Sequence, residues 1–194
     1  RSRMTKPSLL INSCNIATQT AQLLKKKKKR SEIRKNWKYK NDHRNWDLYP
    51  NHILMLTQNA IALLRDLIRK QSFSGTEDQT AARLEKWFTA HTISYQRKDH
   101  NIWATNKYFD PKKPTILLNS HHDTVKPNQG YTRDPFSATI EEGKLYGLGS
   151  NDAGGALVSL IATFTHYYAH ENLAYNLLMV ASAEEENAGK KSLY

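Results

Sequence analysis

Cysteine is nearly absent: Cys14 stands alone in 194 residues, which excludes an internal disulfide and a cysteine-based zinc site. Long apolar runs are absent too. None approaches the roughly 18–20 residues that a helical membrane span needs. The glycine-rich stretch Gly147 to Gly155 is followed by no Gly-Lys-Ser/Thr, which removes a phosphate-binding loop. Acids are missing before Glu32. What remains is 39% hydrophobic and 24% charged, so at least part of the chain is of the globular kind. Its length suits one domain, or one domain with an appendage.

Basic residues, by contrast, are plentiful and unevenly placed. Lys and Arg number 29 against 18 Asp and Glu, a formal charge of +11. Residues 1–50 hold 14 of the bases, with Glu32, Asp42 and Asp47 as their acids, so the whole excess sits there. Residues 51–194 are neutral overall. The block Lys25 to Arg30 is continuous, and Arg34, Lys35, Lys38, Lys40 and Arg44 follow it. Like charges this dense repel one another and favour a solvated segment, so residues 1–50 are expected to be a basic, disordered extension. A competing reading is nucleic-acid binding through residues 25–46, because Trp37, Tyr39 and Trp46 interleave with the bases and can stack on single strands. A third is that the segment is not native coding sequence. The chain opens on Arg1, the segment is rich in Lys, Asn, Ile and Tyr, and Met55 heads a good helix. Leu9-Leu10-Ile11 falls short of the roughly 7–15 apolar residues of a secretory signal.

Residues 51–194 read as one α/β unit, a βαβ-containing parallel sheet flanked by helices. Ile53 to Lys70 carries Leu56, Ala60, Leu63, Leu64, Leu67 and Ile68 at helical spacing. Gly75 marks a turn, and Thr76, three before Gln79, predicts a capping box opening a helix to about His91. Strand-like runs follow at Thr92–Gln96 and Asn101–Thr105. Thr115–Asn119 and Tyr175–Ala183 read as buried strands, with an amphipathic helix from Ala153 to about His170 between them. Strand, helix and strand in that order predict parallel pairing. No internal repeat is visible.

The chemistry-bearing residues stand at the ends of these strands, where open α/β sheets bind ligands. His121 and Asp123, two apart in extended chain, share a face, and a metal-ligating imidazole needs such an acceptor on its second nitrogen. The pair also reads as surface turn residues. Asp152 opens the second helix from a glycine-rich bend that lets backbone approach a ligand; an Asp there is equally an ordinary N-cap. Glu184-Glu185-Glu186 follow a buried strand directly. Their repulsion is costly unless a cation sits among them or one carboxyl works as an acid/base group. One imidazole and several carboxylates at one sheet edge are a metal-hydrolase signal.

The runs LLNSHHDTVKP, DPFSATIEEGKLYGLGSND and AEEENAG, within residues 55–190, resemble the M20 family of zinc-dependent amidohydrolases, with wording most similar to its acetylornithine deacetylase-like branch. That resemblance implies a cytoplasmic enzyme with two divalent ions, zinc or cobalt, that cleaves an N-acyl amino acid in arginine biosynthesis. Succinyl-diaminopimelate desuccinylase and M20 dipeptidase or carboxypeptidase activities are the alternatives. It makes His121 a ligand of one metal, Asp123 the residue orienting it, Asp152 a bridge between the ions, Glu186 a ligand of the other, and Glu185 the general base. It also implies a further acidic ligand, a late His and a dimerisation domain that makes the full-length form a homodimer. Residues 51–194 are therefore expected to be the N-terminal part of a truncated catalytic domain, inactive as it stands. Leu148, where the family often has Arg, and Gly154-Gly155-Ala156, where it has Lys-Gly-Gly, depart from the pattern away from the ligands.

Other candidates carry less. His166 and His170 are four apart, but Tyr167 stands where a zinc-protease helix has its Glu. Cys14 has no base nearby in sequence. A non-catalytic binding protein on the hydrolase fold stays open, against which the acid Glu185 beside the expected ligands argues.

Overall fold

The computed structural model describes residues 49–190 and residue 192. The basic block from Lys25 to Arg44, its interleaved aromatics and Cys14 lie outside the described residues, and the expectations for them with it.

Helix α1 spans Tyr49–Ile68, starting upstream of the expected Ile53. Its periodic apolar residues do what their spacing predicts: Ala60, Leu63, Leu64, Leu67 and Ile68 are buried. Helix α2 spans Asp78–Ala90 and buries Ala81, Leu84, Trp87 and Phe88. The expected capping box is absent. The Thr76 hydroxyl donates backward to Phe73 O at 2.9 Å, and Glu77, the N-cap residue, makes no side-chain cap bond.

Strands β1 (Gln96–Lys98) and β2 (Asn101–Thr105) form an antiparallel hairpin. The strand expected at Thr92–Gln96 starts only at its last residue, because Thr92 takes a φ of 55° in the turn that ends α2. Strand β3 (Thr115–His121) pairs in parallel with β6 (Asn176–Ser182), and the chain between them crosses over through α3 (Gly155–Tyr167). That crossover also holds a hairpin the sequence reading missed, β4 (Thr139–Glu141) with β5 (Lys144–Tyr146). Sheet order is β1-β2-β6-β3, and β2 runs antiparallel to β6, so the sheet is mixed around its parallel pair.

One core joins the helices to the sheet. Leu157, Val158, Ile161 and Phe164 of α3 meet Ile102, Ala104, Leu177, Met179 and Ala181 of β2 and β6. Strand β6 is buried as expected, but β3 is not. Among the described residues it is an edge strand, with Ile116 and Leu117 exposed at 42% and 58%. In the paired register Leu118 lies beside Met179 on the core side, while Leu117 lies beside Leu178 on the other. Among the described residues no helix is long and apolar enough to cross a membrane.

Candidate metal centre

The parallel pairing of β3 and β6 brings His121 directly opposite Ser182, so both strands end at one place. His122 N–H then donates to Ser182 O at 3.0 Å, the last rung before the chains diverge. The segments beyond, Asp123–Thr124 and Ala183–Glu186, therefore start side by side. The sheet, not the sequence, makes neighbours of residues some 60 positions apart.

Asp123 is the hub between them, and it is only 1% exposed. Its Oδ1 accepts from Glu185 N–H at 3.1 Å, and its Oδ2 from Glu186 N–H at 3.0 Å and from the Ser74 hydroxyl at 2.7 Å. His121 Nδ1 lies 3.3 Å from Oδ1. Burial pushes the Asp123 carboxyl up, but the bonds from His121, Ser74 and the two N–H groups outweigh it and hold the group at about 2. Reciprocally, the hydrogen bond to Asp123 raises His121 to about 9, against the opposing effect of burial.

With Nδ1 held by Asp123, the other nitrogen of His121 faces the site. Nε2 lies 3.3 Å from Asp152 Oδ1 and 3.7 Å from Glu185 Oε2. Asp152 reaches it from an irregular turn, Ser150–Gly154, in which Asp152 and Ala153 leave helical backbone angles and the peptide between them is cis. Its side chain is 78% exposed, and Gly154, the N-cap of α3, has no side-chain cap bond, so the N-cap reading of Asp152 fails. The glycines also act differently from expectation, for they let the protein approach itself. Gly154 N–H donates to Gly149 O at 2.8 Å, and a Cβ on Gly154 would lie 2.6 Å from that oxygen.

Ligand atoms of His121, Asp152 and Glu186 all lie within 4.8 Å of one another. An imidazole nitrogen with two carboxylates, the imidazole backed by a buried carboxylate, is a donor set that fits a divalent cation. Burial, then the charge of Asp152, pushes the Glu186 carboxyl up, against the opposing charge of His121. Glu184 separates from its two neighbours. It is buried, turns the chain with a φ of 57°, and its carboxylate occupies the space a side chain at Gly189 would need.

The sequence reading missed the support beneath this cluster. Ser74 and Glu77 lie in what reads as a turn and a helix start, yet Ser74 bonds Asp123 and Glu77 Oε1 accepts from Glu184 N–H at 3.1 Å. An acid where Ser or Thr normally caps was the available signal. His122 belongs to this support too. Its Nε2–H donates to His100 O at 3.0 Å, which leaves Nδ1 to accept from Thr80 at 2.9 Å, and burial lowers its pKa to about 4. His166 and His170 have ring centroids 5.4 Å apart at the end of α3, away from the cluster.

Residues 117–194 match Peptidase family M20/M25/M40. A succinyl-diaminopimelate desuccinylase of Xylella fastidiosa is 33% identical over 129 residues, 62% of this chain and 33% of that protein. Among solved structures, an M20 family metallo-carboxypeptidase from Sulfolobus solfataricus superposes with a TM-score of 0.54 at 26% identity, over 68% of this chain and 31% of that one. A dinuclear metal-binding M20 peptidase of Bacillus subtilis shares the fold, with a TM-score of 0.53 at 17% identity over 70% and 37% of the two chains. The chain thus spans about a third of the length of the relatives it matches. Residues 117–194 are similar to the M20 peptidase family, and the α/β unit around them shares the fold of that family's solved structures.

Proposed function

We propose that this chain carries the metal-holding part of an amide hydrolase acting on N-acyl amino acids. His121, Asp152 and Glu186 are its metal ligands, Asp123 orients His121, and Glu185 is the general base. The observation that carries the reading is the gathering of potential ligand atoms of His121, Asp152 and Glu186 within 4.8 Å, where the ends of two parallel strands meet the turn before α3, with Glu185 Oε2 3.7 Å from His121 Nε2. Divalent zinc or cobalt held there would acidify an attacking water and polarise the amide carbonyl. Asp123 keeps the proton of His121 on Nδ1, so that Nε2 offers its lone pair to the cation. Glu185 takes the proton of the water and delivers it to the leaving amine.

For the acyl group, the relatives named succinyl-diaminopimelate desuccinylase favour an N-succinyl diamino acid over the acetylornithine first expected. A peptide substrate is the second reading, favoured by the likeness to the metallo-carboxypeptidase. Cobalt(II) titration of the chain, followed by visible absorption, tests the site. Glu186→Gln and Asp152→Asn should weaken binding at least about tenfold, and unchanged binding in both variants overturns the ligand assignment. Turnover of N-succinyl-diaminopimelate, N-acetylornithine and a dipeptide by the full-length protein ranks the substrates. A preference for N-acetylornithine overturns the order of the first two.

A further inference from the structure

We infer that Glu77 is a positioning residue of this site: across 107 residues of sequence, its carboxylate holds the turn that presents Glu185 and Glu186. The inference rests on the proposed roles of those two acids but concerns a residue to which none of the similarities assigns a part.

Glu77 is fully buried, and a buried carboxylate is costly unless its lone pairs are filled. They are filled, but not by its own helix. Oε1 accepts from Gly75 N–H at 2.8 Å and from Glu184 N–H at 3.1 Å, and Oε2 from His100 Nδ1 at 2.6 Å. A residue needed only to begin α2 would be served by Ser, Thr or Asp bonding the first turn. Glu77 stands at the N-cap and makes no such bond.

Its effect follows from what lies next to Glu184. Three successive N–H groups of the acidic turn donate to side-chain carboxylates, Glu184 to Glu77 and Glu185 and Glu186 to Asp123. The two carboxylates come from different elements, one from the start of α2 and one from the end of β3. Together they fix a turn in which Glu184 has a φ of 57°, while like charges on three adjacent side chains push it open. The same carboxylate reaches the other side of the site through His100, whose backbone oxygen receives His122 Nε2–H beside His121. His100 also sets its Nε2 3.1 Å from Asp78 Oδ1, which ties this brace to the first turn of α2.

The test compares wild type, Glu77→Ala and Glu77→Gln by cobalt(II) affinity and spectrum and by amide hydrogen exchange at Glu184, Glu185 and Glu186. Glu77→Ala should weaken cobalt binding by about 10- to 100-fold and alter the absorption bands of the ion that still binds. It should also speed exchange at the three amides. Glu77→Gln keeps a carbonyl acceptor for Gly75 and Glu184 and should restore most of the affinity. Loss of stability alone moves neither the spectrum of folded, cobalt-loaded protein nor the rank of the two variants. If Glu77→Ala does not fold, Glu77→Leu fills the space without an acceptor and takes its place. Unchanged exchange at Glu184 in Ala or Leu, or Gln no better than Ala, overturns the inference. A wild type that binds no cobalt overturns the proposed metal centre instead, and the exchange comparison then still decides whether Glu77 holds the turn.

Discussion

His121 Nε2 lies 3.3 Å from Asp152 Oδ1, although a hairpin separates the two residues along the chain and Asp152 sits in an irregular turn. The contact joins the end of a strand to the approach of a helix, and no cap bond accounts for it. Replacing His121 with Ala should therefore reduce zinc or cobalt affinity about as strongly as Asp152→Asn, at least about tenfold in each case. Competition against a chromogenic chelator measures it, and a variant that binds as tightly as wild type removes that residue from the ligand set.

Asp123 supplies two acceptors to the Glu185 and Glu186 N–H groups. Asp123→Asn sets an NH2 donor against at least one of those donors and against His121 or Ser74. A loss of about 2–3 kcal/mol in urea unfolding is expected, together with weaker metal binding. Stability within about 0.5 kcal/mol of wild type would contradict the hydrogen-bond assignment.

Acidification should destabilise the fold through His122. Burial lowers its pKa to about 4 in the folded protein, against 6.5 for an ordinary imidazole. The unfolded chain thus binds the proton first. The His122 contribution is fully present above about pH 6.5, is lost as pH falls toward 4, and changes no further below that. The whole loss is about 3 kcal/mol. Urea unfolding at pH 7 and pH 4.5 measures it against His122→Gln. An equal pH dependence in the two proteins refutes the assignment.

Gly154 and Gly143 should differ sharply when changed to Ala. A Cβ on Gly154 meets Gly149 O at 2.6 Å and Leu64 Cδ1 at 2.7 Å, one of them backbone that cannot rotate away. Overpacking of this kind costs about 1–3 kcal/mol and should also displace Asp152. Gly143 has a φ of 74° and nothing within 4 Å, so its cost is confined to the backbone, roughly 1 kcal/mol. Thermal melts rank the pair, and the cobalt affinity of Gly154→Ala reports on the turn.

The edge position of β3 predicts opposite outcomes for two apolar residues in the sheet. Leu117, 58% exposed, should tolerate Ser within about 0.5 kcal/mol. Met179, fully buried on β6, should cost about 2–5 kcal/mol as Ala. Comparable losses at both sites would mean that Leu117 is covered in solution.

Much of the local structure was legible in the sequence. Leu63, Leu64, Leu67 and Ile68 declare a helix with one apolar face, and Leu177 to Ala181 declare a strand, because each pattern is set by neighbours a few residues apart. His121 and Asp123 declare their pairing for the same reason, since extended chain puts alternate residues on one side. The candidate ligands Asp152 and Glu186 were legible as residue types at the ends of elements.

Tertiary structure decided the rest. It made β3 an edge, exposing Leu117 that the apolar run suggested was buried, because burial depends on what lies beside a strand and not on its composition. Pairing of β3 with β6 set Asp123 under the N–H groups of Glu185 and Glu186, and packing of α2 set Glu77 under that of Glu184. Thr76-Glu77-Asp78 by itself reads as an ordinary helix start. Hydrogen bonds to partners 49 and 107 residues away turn Ser74 and Glu77 into supports of the acidic turn, and no local pattern encodes a bond to so distant a partner. The sequence by itself determined which groups stand at the strand ends; the register of two parallel strands and the placement of one helix start decided that those groups meet.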